Sequence, residues 1–352
     1  MRILFTGGRA PVTLELVRNF GKNGWEVFVA DSVVPNLSMF SKYAKFTFIN
    51  SPRQNEQRFV DDLISIINEN SIDILFPTCE EIFWISKNKE KILENCKIKI
   101  LCDNIEKLSL LHNKYEFIKF AEKLKIQTPK TKLIDVGIKV NEKSVVKPIF
   151  SRFGESVTIV KKGNKLDKRY KGTHILQEFI EGENICSYGY AENGVLKFNI
   201  CYKCPFQTNK ASTAFVPFES EYIDKVVNRI IKKLNFSGNI SFDFIRKDEK
   251  FYVIECNPRI TSGIHIISDN DFTKLFFEKH DAFTKRKAQL LIPTIFTNFR
   301  FLPFRDVAFC LNDIIPFFKQ LSCLNMFKKI AKKNNISLTQ ATTFDIEWNG
   351  EE

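Results

Sequence analysis

The sequence is short of the features that most directly announce a function. No uninterrupted apolar run approaches the ~20 residues of a bilayer-spanning helix. The opening MRILFTGG has neither the long apolar stretch nor the small-residue cleavage site of a secretory leader. The expectation is a cytoplasmic protein with no membrane partner. Histidine numbers four in 352 residues, and none of His112, His174, His265 or His280 stands where a general base would be expected. His265, just past the motif discussed below, reads more simply as structural. The nine cysteines are odd in number, scattered, and mostly inside apolar segments, as with Cys79, Cys186, Cys256 and Cys310. The one close pair, Cys201 and Cys204 in CYKC, lacks the second pair or histidine cluster that would complete a zinc site, so buried free thiols are expected. Internal repeats and low-complexity tracts are absent. So is GxGxxG, and the turn TGGRAP with Asp31 at a later strand end does not make a nicotinamide site.

What remains is an ordinary globular composition, 44% hydrophobic and 27% charged, with chain enough for two or three domains. Net charge is +12, and residues 281–335 carry ten basic against three acidic side chains. An anionic partner would explain that run. Lys, Asn, Ile and Phe are abundant throughout, however, and this bias is the simpler account, so nucleic acid is not expected as a partner.

RILFT (2–6) reads as a buried strand, VTLELVRNFGKNG as an amphipathic helix closed by glycine, and WEVFVADS as a second strand. The rhythm continues with the helix NEQRFVDDLISIINENS, whose Phe59, Leu63 and Ile66 share one face, then the strand IDILFPT and one helix, CEEIFWISKNKEKIL. This alternation predicts a parallel sheet with ligands at the strands' C-terminal ends. PTCEE (77–81) places Glu80 and Glu81 there, and substrate seating or helix capping accounts for them equally well. Beyond residue 105 a helix (113–129) precedes strand–turn–strand (142–162), then a strand, a polar link and a hairpin (173–203). A helix (221–235) and a second hairpin (238–258) follow. The expected class is α/β followed by α+β. A Rossmann-like domain would span 1–105, and a second domain 106–283, divided at about 172/173. A basic extension over 284–352 has no assigned fold.

The chemistry is concentrated in VIECNPRITSG (253–263). Strand side chains alternate faces, so Glu255 and Asn257 point one way and Ile254 and Cys256 the other. If KDE (247–249) makes the hairpin turn, the register is symmetric about Asp248, and Asp243 lies on the same face, diagonal to Glu255 at roughly 7–8 Å. A one-residue slip would turn Asp243 away. Two carboxylates and an amide oxygen form a hard donor set suited to Mg²⁺ completed by phosphate and water oxygens. Lys147, after two valines at the inner end of a strand, can bury its stem and reach a phosphate. Lys114, at a helix start, is a second such cation. SRFGES (151–156), beginning with Ser151, is a polar turn able to offer N–H groups to phosphate, although it holds one glycine. QEFIEGE (177–183) is an extended link able to meet an adenine edge.

In this order and spacing the pieces resemble the ATP-grasp superfamily, most of all proteins similar to the carbamoyl phosphate synthetase large subunit, through ECNPR. The likeness covers about residues 1–265 and amounts to a single such module. It implies a Rossmann-like domain followed by an ATP-grasp fold, with nucleotide held between two α+β subdomains. It implies that Lys114, Lys147 and Ser151 meet the phosphates, that Gln177, Glu178 and Ile180 line the adenine pocket, and that Glu183 holds ribose. Asp243, Glu255 and Asn257 would hold Mg²⁺ (or Mn²⁺), and Arg259 would face the γ-phosphate, with Lys147 and Arg259 the catalytic pair. The implied reaction joins a small-molecule carboxylate to an amine, or a thiol, through an acyl phosphate. A homodimer is compatible with this reading. A small-molecule kinase is the nearest enzymatic alternative, and a non-catalytic nucleotide or RNA module the alternative of another class.

Overall fold

The computed structural model describes residues 1–135, 138–152, 154, 156–208, 211–268, 272–278, 284–298 and 303–351. His280, together with Phe153 and Glu155 of the SRFGES turn, lies outside them. The chain opens with five parallel strands, β1 (Arg2–Thr6), β2 (Glu26–Asp31), β3 (Ala44–Phe48), β4 (Ile74–Phe76) and β5 (Lys99–Ile100), in the order β3-β2-β1-β4-β5. Strand order reverses between β1 and β4, so a crevice is expected beyond Thr6 and Phe76. Ile3, Leu4 and Phe5 are wholly buried, as both faces of a parallel sheet are covered. The covering helices are α1 (Pro11–Lys22), α2 (Glu56–Glu69), α3 (Glu81–Lys87) and α4 (Lys89–Asn95). Phe59, Leu63 and Ile66 of α2 face inward together. The single helix expected over 79–93 is two, because Asn88 donates its amide to Glu56 Oε1 and to the Trp84 carbonyl. Such a side chain competes with the helical ladder.

Helices α5 (Ile105–His112) and α6 (Lys114–Lys123) lead to a four-stranded antiparallel sheet. Its strands β6 (Thr131–Leu133), β7 (Ser144–Pro148), β8 (Thr158–Val160) and β9 (His174–Glu178) run in the order β6-β9-β7-β8. A seven-stranded sheet follows, built on β10 (Glu183–Glu192), β11 (Val195–Thr208), β12 (Ala211–Phe218), β13 (Gly238–Lys247) and β14 (Lys250–Asn257). Helix α7 (Glu221–Leu234), capped by Ser220, packs Ile223, Val226, Val227, Ile230 and Ile231 into the core. In the link from β9 to β10, Gly182 lies so near β13 that a Cβ would stand 2.3 Å from the Arg246 carbonyl oxygen. A larger residue would push the link off the sheet.

Helix α8 (Phe272–Phe277) lies upstream of residue 284, and the region after it forms β15 (Ala288–Gln289), α9 (Leu291–Asn298), β16 (Arg305–Asp306) and α10 (Ile315–Asn334). Strands β15 and β16 extend the edge of the large sheet beyond β12. One apolar core runs from Leu4 and Phe83 through Leu108 and Phe117 to Phe242 and Val253. It joins the parallel sheet, α5–α6 and the large antiparallel sheet. Among the described residues no helix is long and apolar enough to cross a membrane.

The β13–β14 hairpin corrects the expected register. Its turn has two residues, Asp248 and Glu249, both at positive φ (45° and 60°), with Lys247 paired to Lys250. This is the primed type of turn that matches strand twist. Relative to the three-residue turn it slips the strands by one. The phase returns at a bulge: Phe244 faces Val253 but Asp243 faces Glu255, leaving Ile254 as the extra residue. Asp243 is therefore directly opposite Glu255 rather than diagonal to it.

Candidate nucleotide and metal site

Asn113 caps α6, its side-chain oxygen accepting from the Tyr115 and Glu116 amides at 3.0 Å each. That places Lys114 at the first helical position. A cation there opposes the helix dipole, and this one is buried as well. Its Nζ donates to the Ser151 carbonyl at 3.0 Å and lies 3.6 Å from Glu255 Oε2. Lys147 reaches the same place from β7, buried to 4% exposure. Its Nζ donates at 3.3 Å to the carbonyl of Ile254, the bulged residue whose oxygen is released from the ladder. The irregularity that restores the register thus also provides an acceptor for the second lysine.

The two carboxylates face each other in hydrogen-bond contact. Burial pushes Asp243 up, and the Glu255 charge pushes it further, to about 7. Burial also acts upward on Glu255, but Lys114 and Lys147 outweigh it and hold this group down at about 2. Burial lowers Lys147 to about 8, against the pull of Glu255. Asn257 is loosely held: its Nδ2 is 3.5 Å from Glu255 Oε1, and its Oδ1 is 3.5 Å from Arg259 Nη2. Two carboxylates opposed across the hairpin, beside an amide only loosely held, fit a hard divalent cation. Among the described residues no three His, Cys, Asp or Glu side chains cluster to hold a metal, so phosphate or water oxygens would complete its shell.

The adenine-side residues are placed less uniformly. Gln177 is buried in the small sheet and spends its amide on Thr131 Oγ1 at 3.0 Å, so its side chain is a sheet tie. Glu178 exchanges hydrogen bonds with the Lys130 backbone, donating its N–H at 2.8 Å and accepting at its carboxylate. Ile180 is buried, and among the described residues its N–H finds no acceptor. An unpaired amide on an extended link is what an adenine edge requires. Glu183 is half-exposed and pairs with Lys203 at 2.8 Å.

Sequence reading separated Glu80 from Arg259, whereas the structure joins them. Arg259 Nε lies 2.9 Å from Glu80 Oε1, and Arg152 Nε lies 2.9 Å from Glu80 Oε2. Glu80 is buried, and despite burial the Arg152 and Arg259 guanidinium groups hold its pKa far below the usual carboxylate range. His112, ringed by Phe83 and Phe150, is driven down to about 3 by burial and is neutral. Glu81, the first residue of α3, instead ties the turn before the helix, accepting from the Thr78 and Cys79 amides. His265 is buried against Glu15 at 3.3 Å, a structural contact. Arg152 gave no signal in the sequence, since an arginine in a polar turn looks solvated. Glu80→Ala would strand two buried guanidinium groups, and a loss of about 3–5 kcal/mol is expected, measurable by urea unfolding.

Residues 111–263, which contain every nucleotide- and metal-site residue named from the sequence, match the family model described as "ATP-grasp domain". An uncharacterized protein of Methanocaldococcus jannaschii is 24% identical over 268 residues, 70% of this chain and 66% of its own. The tyramine–L-glutamate ligase of the same organism is 28% identical over 228 residues, 62% of this chain and 65% of its own. The matches thus span a little under two thirds of these relatives' lengths. Among solved structures, biotin carboxylase from Campylobacter jejuni in its β-γ-ATP complex superposes with a TM-score of 0.62. It covers 81% of this chain and 73% of its own at 13% identity, a likeness of fold.

Proposed function

From the ATP-grasp domain that this chain carries, we propose an ATP- and Mg²⁺-dependent ligase joining a small-molecule carboxylate to an amine. The observation that carries the reading is the convergence of Lys114 and Lys147 on the Asp243–Glu255 pair. The tyramine–L-glutamate ligase relative supports carboxylate–amine chemistry over other uses of the fold.

Asp243, Glu255 and Asn257 are the residues to hold Mg²⁺, which when bound offsets charge on the β- and γ-phosphates. Lys114 and Lys147 supply fixed positive charge beside that pair. Because both ammonium groups are buried, their field is stronger than in water. The Ile180 N–H and the Glu178 backbone seat adenine, and Glu183 releases Lys203 to take ribose hydroxyls. A substrate carboxylate oxygen attacks the γ-phosphorus, the bond to the ADP oxygen breaks, and an acyl phosphate results. The amine nitrogen then attacks the acyl carbon, loses its proton to solvent, and phosphate leaves. Arg259 is the cation nearest Asn257 that can follow the shifting charge.

The test is ADP release from MgATP with amino acids and small carboxylates, singly and paired with amines. Turnover requiring a carboxylate–amine pair is expected. Full turnover with a single hydroxyl acceptor would replace the ligase by a kinase.

A further inference from the structure

Residues 342–349 form a strap that runs past the turns following β1, β2 and β3 to α3 and Arg152. Arg9, in the turn after β1, donates to the Thr342 carbonyl and lies 2.5 Å from Asp345 Oδ1. Asp345 also accepts from Ser32 Oγ at 2.5 Å, and its carbonyl accepts from Ser51 Oγ at 2.6 Å. Trp84 Nε1 donates to the Ile346 carbonyl at 3.0 Å. Ile346 and Trp348 are 3% and 2% exposed. The strap ends on Arg152, whose guanidinium donates to the Trp348 carbonyl and, at 2.7 Å, to Asn349 Oδ1.

We propose that this strap is a working part of the nucleotide site: it seats Arg152, and through it the turn that faces the phosphates. The proposal rests on the nucleotide reading above. SRFGES holds one glycine, so it has few of the freely presented backbone groups by which a glycine-rich loop wraps phosphate. In compensation its first two residues are tied. The Ser151 carbonyl takes Lys114, and Arg152, next in the chain, is held by Glu80, Trp348 and Asn349. All three are charge-assisted contacts in a buried setting, the strong kind. Residues 151 and 152 held before ATP arrives spare ATP binding the entropy of ordering them. Arg152 and Asn349 are positioning residues. By linkage, MgATP must stabilise the strap as much as the strap favours MgATP.

MgATP is titrated into the full chain and its variants by calorimetry, which needs no turnover. Asn349→Ala is expected to raise the MgATP dissociation constant about tenfold, whereas Asn349→Asp keeps an acceptor for Arg152 and is expected to bind nearly as the parent does. In the unaltered protein, MgATP is expected to slow amide exchange over residues 343–349, a readout that does not depend on any variant folding. Equal affinity for parent and Asn349→Ala, or exchange there unchanged by MgATP, would overturn the proposal. Absence of MgATP binding by the parent protein would instead remove the nucleotide reading on which it stands.

Discussion

Glu255→Gln is expected to lower ATP-dependent turnover by about a thousandfold, the scale of losing a principal electrostatic group from a phosphoryl-transfer site. Glu255 is the one group that lies opposite Asp243 while its charge offsets both Lys114 and Lys147. The amide keeps the shape, but it is a poorer ligand and leaves two buried ammonium groups without their counter-charge. Lys114 would retain its bond to the Ser151 carbonyl, so the fold should persist. The check is kcat/KM for MgATP by coupled ADP release, beside a melting curve showing that the variant is folded at the assay temperature.

Asp243→Asn should separate stability from function in the opposite sense. In the metal-free protein the Asp243 pKa is raised to about 7 by burial and by Glu255, against roughly 4 in the unfolded chain. Between these values the folded state binds the extra proton at this group, so the stability that Asp243 contributes is greatest at the acid side and is lost as pH rises toward 7. The slope is at most about 1.4 kcal/mol per pH unit for one proton. Glu255, held at about 2, is ionised in both states over pH 5–7 and adds no slope there. Asparagine removes the titrating group. In EDTA the parent's melting temperature should fall by several degrees relative to the variant's from pH 5 to 7.5, because the opposite slope from the buried, neutral His112 is common to both. Turnover should be abolished even so. A residue whose removal stabilises the fold and ends activity is present for a ligand.

The hairpin shows how legible this site was in the sequence. Alternation in ECN correctly put Glu255 and Asn257 on one face, because the period of a strand is a local property. The register of Asp243 was reached through two departures that cancel. The Asp248–Glu249 turn is a residue shorter than expected, and the bulge at Ile254 restores the phase. Neither leaves a mark in composition, since Asp and Glu at positive φ look like any polar turn. Lys114 was legible through the Asn113–Lys114 helix start, and Lys147 through the two valines before it. Arg152, Glu80 and the strap were not legible as a group. Their contacts join positions 72, 196 and 197 residues apart, and no periodicity links such positions. The extension after residue 284, left without a fold, owes its order to the same long-range contacts, such as Arg18 of α1 with Asp313.

Binding of Mn²⁺ as a stand-in for Mg²⁺, followed by its paramagnetic signal with and without ADP, tests the central claim most directly. Mn²⁺ held tightly only with ADP, and lost in both Asp243→Asn and Glu255→Gln while each remains folded, is the expected result. ADP binding of equal strength in EDTA and in excess Mn²⁺, unaffected by either substitution, would contradict a metal seat between β13 and β14.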